Sequence, residues 1–198
     1  MEPRRSPRTA LSEATVAAIL GAVERILEKH GTSKLTTNHV AELAGVSIGS
    51  VYQYFPNKES LVGALQDKYS EDTLGRMRAA LEGTEKLSIE AVVMRVGMAV
   101  MGAKQTQRPI HRYLVDYRTL SASADRYRKR LDVQVDMIEQ FLVSRTDVAV
   151  ENARTAAFVL VHAIEGIMEG ASERPDVDAL GIARSAVQMV TAFLAKRS

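Results

Sequence analysis

The chain has 198 residues, 46% of them apolar and 25% charged, and it contains no cysteine. That balance belongs to a globular chain rather than a disordered one, and the missing thiols exclude disulfide staples, thiolate zinc sites and a cysteine nucleophile. A net charge of +2 is too small to point to nucleic acid by itself.

Arg4, Arg5 and Arg8 precede an apolar stretch that Glu13 and Glu24 interrupt, so no signal-peptide core is expected there. No uncharged apolar run reaches the roughly 18 residues of a membrane span, and the expected location is the cytoplasm. The first helix is marked by Val16, Ile19, Leu20, Val23, Ile26 and Leu27, whose three-four spacing lays one apolar stripe along a helix, with Ser12 as cap and Gly31 as stop. Thr36 or Thr37 caps a second, short helix through Ala44, Gly45 supplies a left-handed turn, and Ser47 caps a third helix over Ile48 to Phe55 that must end before Pro56.

Asn57 then caps a fourth helix running from Lys58 toward Leu81, closed by Gly83. From Ser88 a helix begins whose 91–103 section is apolar on nearly every face except Arg95, as expected of a helix buried on all sides. Pro109 suits the first turn of a further helix carrying Tyr113 and Tyr117. Ser121 to Ala124 read as a linker, and Asp125 to Ser144 as a long helix. Asp147 is placed as the cap of the next helix, striped by Ala157, Leu160, Val161, Ile164, Ile167 and Met168; Pro175 and Asp178 introduce a last one ending at Leu194. With no alternating strand-like run, the expected class is all-α with about nine helices. A three-helix domain over residues 1–57 is followed by a helical bundle over 58–198.

Residues 36–55 combine helix, glycine turn and capped short helix, the arrangement by which a helix-turn-helix presents its second helix to a major groove. Geometry of this kind is common, and the residue types carry the argument further. Val51 and Phe55 face inward at i and i+4, leaving Ser50, Tyr52 and Gln53 outward, where hydroxyl and amide groups can bond base edges or phosphates and a tyrosine ring can meet a thymine methyl. Gly49 lets the backbone approach closely. Thr37, Ser47, Tyr54 and Lys58 fall near helix N-termini or the helix rim, suited to phosphate oxygens. Arg4, Arg5 and Arg8 suit either a minor-groove arm or an untethered basic tail.

The segment TTNHVAELAGVSIGSVYQYFPNKESL, Thr36 to Leu61, closely resembles the DNA-binding signature of the TetR family of bacterial repressors. The likeness rests on the Thr pair, the Ala-Gly-Val-Ser turn, the Tyr-x-Tyr-Phe close of the third helix and the Asn-Lys-Glu entry to the fourth, and it reaches over roughly residues 12–65. It implies a homodimer that binds a palindromic double-stranded operator and leaves it when a small molecule enters the C-terminal domain. It also implies DNA contact by Thr37, Asn38, Ser47, Ser50, Tyr52, Gln53, Tyr54 and Lys58.

Other patterns are weaker. Gly45-Val46-Ser47-Ile48-Gly49 matches the G-x-S-x-G nucleophile elbow, but the elbow needs a preceding strand and an underlying sheet, and neither is expected; no enzymatic activity and no cofactor are assigned. His162, Glu165 and Glu169 lie on one helical face at metal-ligand spacing without a second matched pair, so a hydrogen-bonded histidine lining a pocket or interface is preferred and no metal is assigned. The basic block from Lys104 to Arg130 reads as a solvated helix face. Met94, Met98 and Met101 share one face of the central helix, and Tyr113, Tyr117, Met137, Phe141, Phe158 and His162 sit on helices expected around it. Core packing explains such residues, and so does the lining of a hydrophobic or aromatic ligand site. Ala153, Ala157, Gly166, Gly170, Ala179, Ala183 and Ala186 let the last two helices approach closely, either a partner's pair in a four-helix dimer interface or each other within one subunit. The resulting expectation is a ligand-responsive repressor; the alternative is a DNA-binding regulator that acts through protein partners with no small-molecule control.

Overall fold

The computed structural model describes residues 10–116, 121–172, 174 and 178–195. Arg4, Arg5, Arg8 and Tyr117 lie outside them. Among the described residues the chain forms eight α-helices: α1 Ala10–His30, α2 Thr37–Ala44, α3 Ile48–Tyr54, α4 Lys58–Leu81, α5 Ile89–Asp116, α6 Ser121–Ser144, α7 Ala153–Ser172 and α8 Ala179–Leu194. A single 3-10 turn, Gly31–Lys34, follows α1, and the only extended pairing among these residues is an isolated bridge between Val148 and Ala195. The all-α class is therefore observed.

Four boundaries differ from the sequence reading. Helix α1 is already formed at Ala10, so Ser12 lies within it and does not cap it. The helix expected to end near Ala103 and the one expected to start at Pro109 are a single helix, α5. A proline inside a helix forfeits one ladder bond and crowds the preceding turn, at a cost of about 3 kcal/mol, but Ile110, 1% exposed, and Tyr113 anchor the turns beyond it in a core. Ser121 to Ala124 form the first turn of α6 rather than a linker, since small residues and serine favour helix starts as much as loops. Asp147 does not cap α7: its carboxylate is held by Arg145, and Asn152 accepts the Thr155 N–H instead, at 2.8 Å. Nor is α5 buried all round, because Met94 and Met98 are exposed while Val92 is buried.

The chain divides into two compact units, one comprising residues 1–69 and 107–126 and the other 70–106 and 127–198. The first unit is built on the predicted α1 stripe. Ile19, Val23, Ile26 and Leu27 are at most 1% exposed and pack with Val40 of α2, Val51 of α3, Phe55 just beyond it, and Leu61, Val62 and Leu65 of α4. Burying a side chain of this size contributes about 1.5–3 kcal/mol, so this cluster is what holds the two short helices, which could not persist alone. Gly31, at φ +63°, closes α1 where a Cβ would lie 2.9 Å from the Tyr113 hydroxyl.

The second unit centres on Leu131, Val135 and Leu142 of α6, Ala157, Leu160 and Val161 of α7, and Val190 and Leu194 of α8. Arg145 ties down the α4–α5 connection: its guanidinium donates to the Thr84 carbonyl at 2.9 Å and the Leu87 carbonyl at 2.8 Å while pairing with Asp147 at 2.6 Å. The hydrogen bond to Asp147 raises the Arg145 pKa above its ordinary value, against the opposing effect of desolvation.

Candidate nucleic-acid interface and ligand cavity

The α2–turn–α3 segment is fixed by short-range hydrogen bonding. Thr36, in an extended conformation, caps α2 by accepting the His39 N–H at 3.2 Å. Gly45 sits at φ 69°, a left-handed conformation that costs other residues about 1–2 kcal/mol. From there its N–H donates to the Glu42 carbonyl, and the Val46 N–H to that of Ala41. Ser47 caps α3 by accepting the Ser50 N–H at 3.0 Å. Arg25 of α1 donates to the Leu43 carbonyl at the C-terminal end of α2, a brace that no local sequence signal marks.

With Val51 held inward, α3 turns its opposite face to solvent. Tyr52 is 46% exposed, and Gln53 and Asn38 are also exposed. Gln53 has no hydrogen-bond partner among the described residues, so its carboxamide is free for an external one. The Tyr52 hydroxyl lies 3.1 Å from Thr37 Oγ1, which links the exposed face of α3 to the first turn of α2. Ser50 is half-buried and its hydroxyl is 2.8 Å from that of Ser47, so both serines already share one bond. Ser47, Gly49 and Lys58 are exposed and Thr37 is half-buried. Tyr54 differs in kind, being 8% exposed and packed in the first core. Ile48 was not singled out from the sequence, yet it is 39% exposed at the start of α3; its position four residues before Tyr52 was the available signal.

Asn57 caps α4 by accepting the Ser60 N–H at 2.9 Å, and the Ser60 hydroxyl donates to the Asn57 carbonyl at 2.6 Å. Lys58 opens the helix, an end where a positive side chain is disfavoured by the helix dipole and a negative ligand is favoured.

Within the second unit lies a cavity of about 680 Å³, lined almost wholly by apolar side chains. Of the nine residues proposed for a ligand site, Met94, Met98, Met101 and Phe141 border it. The other described ones are not brought to it. Tyr113 packs in the first unit beside Gly31, Met137 is half-buried elsewhere, and Phe158 is 54% exposed with its ring stacked 3.9 Å from that of His162. His162 is exposed and its Nδ1 is bonded to the Phe158 carbonyl at 2.9 Å. Residues the sequence reading missed include Met77 of α4, Gln134 of α6 and Val187 of α8, all on the cavity wall.

Glu165 faces Arg130 at 3.8 Å and Asp67 faces Arg126 at 3.6 Å, so these two members of the basic block are engaged in ion pairs. Among the described residues no group of three metal-ligating side chains converges, and no helix is long and apolar enough to cross a membrane.

An all-helical chain with a capped helix-turn-helix in one unit and a hollow apolar bundle in the other has the build of a bacterial one-component regulator. The description "Bacterial regulatory proteins, tetR family" fits residues 19–65, and "Tetracyclin repressor-like, C-terminal domain" fits residues 88–194. The chain belongs to the tetR family, whose members are regulators rather than enzymes.

Among individual relatives, the probable HTH-type transcriptional regulator ArpR of Pseudomonas putida is 40% identical over 76 residues, 38% of this chain and 36% of ArpR; the match thus spans about a third of that relative. The nucleoid occlusion factor SlmA of Actinobacillus pleuropneumoniae is 24% identical over 166 residues, 82% of each chain. The SmeT–triclosan complex has the same fold, with a TM-score of 0.71 over 93% of both chains at 18% identity.

Proposed function

We infer that the protein is a homodimeric repressor, working in the cytoplasm, that binds a palindromic operator through α3 and is released by a small, mainly apolar molecule held in the bundle. On the DNA side, α3 enters the major groove with Tyr52, Gln53 and Ile48 toward base edges. Thr37, Asn38, Ser47, Gly49, Ser50 and Lys58 position the unit on phosphates, with Lys58 adding its charge to the N–H groups that open α4. The buried Tyr54 reaches DNA only by the edge of its ring or its hydroxyl. Two subunits place two such helices in successive major grooves, about 34–36 Å apart.

The exposed apolar side chains of α7 and α8, among them Phe158, Leu180 and Phe193, are suited to burial against the same face of a second subunit. A domain division near residue 57 then separates the reading helices from the bundle in function, while α4 continues through both compact units.

Ligand control rests on one observation, the 680 Å³ apolar cavity, which is within the size range of drug-sized ligand sites. A ligand lowers operator affinity by its differential binding to the released form, typically 1–3 kcal/mol. The test is a gel shift of the purified protein on the DNA upstream of its own gene, repeated with a compound set that includes triclosan, the molecule named with the SmeT fold neighbour. Binding that no compound relieves would remove ligand control. A second reading is a DNA-binding regulator that acts through protein partners without small-molecule control; SlmA, similar over 82% of the chain, is named a nucleoid occlusion factor rather than a transcriptional regulator. A solid bundle would have suited that reading better.

A further inference from the structure

We propose that Gln134 is the specificity-determining residue of the cavity, and that the molecule it selects is uncharged, mainly apolar and carries one hydroxyl or carbonyl group. The inference rests on the cavity being a ligand site. Gln134 is on the cavity wall and only 4% exposed. Its carboxamide can offer two donors and an acceptor, and it has no hydrogen-bond partner among the described residues.

The other polar side chains on the wall are occupied or peripheral. Thr73 has a partner of its own, Glu165 is compensated by Arg130 at 3.8 Å, and Arg184 is exposed. Gln134 is thus the one buried polar side chain of the wall, among the described residues, whose bonding capacity is left open.

A buried amide without a partner is unfavourable, so in the empty cavity water must serve it. A hydrocarbon filling the cavity would displace that water and strand the amide. A ligand with a suitably placed hydroxyl or carbonyl would replace the lost bond, so the amide discriminates by penalising molecules that lack the group. Charge is selected against as well. Glu165 already has its counter-ion, leaving an anion no unengaged buried cation on the wall and a cation no uncompensated carboxylate.

The experiment uses the full chain, unsubstituted and as Gln134→Met, which keeps the length of the side chain and deletes the amide. Binding of two fluorescent probes of matched shape, 1-hydroxypyrene and 1-methylpyrene, is measured near pH 7, where both are uncharged. The hydroxyl compound should be preferred by the unsubstituted protein, and that preference should fall about tenfold in Gln134→Met, the equivalent of about 1.4 kcal/mol or one net hydrogen bond. The thermal midpoint of Gln134→Met should be unchanged or higher, whereas a structural role for the amide would lower it.

Equal preference in the two proteins, with both probes still bound, would overturn the assignment of Gln134 and leave the cavity as a ligand site. Failure of both probes to bind the unsubstituted protein would instead remove the cavity reading, and this inference with it.

Discussion

Replacing Gln53 with alanine deletes the one side chain of α3 that combines an exposed position with an uncommitted carboxamide. Because that group has no partner among the described residues, the substitution breaks nothing within the subunit and its effect falls on DNA binding alone. A carboxamide set bidentate on adenine N6 and N7 discriminates by about 1–3 kcal/mol. A homodimer on a palindrome makes this interaction twice, so the loss is about 2–6 kcal/mol, or between about 30-fold and about 10⁴-fold in affinity.

The assay begins by selecting an operator from random DNA with the unsubstituted protein, then measures anisotropy on single-base variants of each half-site. Gln53→Ala should become indifferent to one base pair per half-site and keep its ranking of the others. Lys58→Ala should instead weaken every DNA alike and reduce the salt slope by about 0.9 for each phosphate that the protein no longer neutralises. If Gln53→Ala bound the selected operator within threefold of the unsubstituted protein and ranked all variants identically, α3 would not be reading bases through this residue.

Backbone geometry provides further predictions, read by urea unfolding of the full chain. No atom lies within 4 Å of the Cβ position at Gly45, so Gly45→Ala should cost only the left-handed backbone term, about 1–2 kcal/mol, and Gly45→Asn less. Gly31→Ala adds a collision with the Tyr113 hydroxyl at 2.9 Å, so it should cost more than Gly45→Ala and be partly relieved by Tyr113→Phe. Arg145→Ala removes the bonds to two loop carbonyls, while the half-exposed Asp147 carboxylate returns to water, and should cost about 1–3 kcal/mol; Arg145→Lys should recover less than half, since an ammonium cannot span three acceptors. Because the Arg145 pKa is raised, its contribution is present below the ordinary arginine value and lost only above it. The Arg145→Ala penalty should therefore be the same at pH 7 and pH 9.

Local chemistry was the legible part of this chain. The caps at Thr36, Ser47 and Asn57, the glycine turn at Gly45 and the α1 stripe all act within a few residues, so their signals are complete in the sequence, and α2 and α3 occur within a residue of where those signals put them. The failures came where one residue type serves two ends. Pro109 can start a helix or be carried within one, and the choice was made by the burial of Ile110 against residues more than forty positions away. Asp147 had the identity of a cap, but Arg145 two residues earlier competes for the same carboxylate at shorter range.

The bundle is harder to read for a reason of geometry. Its wall takes side chains from α4, α5, α6, α7 and α8, and in each helix an apolar residue facing a void obeys the same periodicity as one facing a neighbour. The methionines of α5 were found because three thioethers on one face are conspicuous, whereas Met137, Phe158 and His162 satisfied the same pattern and point elsewhere. A polar residue breaks that degeneracy. In the sequence Gln134 stands between Val133 and Val135, among charged and apolar neighbours, and a glutamine on a long helix is ordinarily solvated. Only its 4% exposure, set beside the absence of a partner among the described residues, separates it from a surface residue. If the bundle holds a ligand as proposed, its choice is encoded less in the apolar majority of the wall, which permits many shapes, than in a buried polar group such as Gln134.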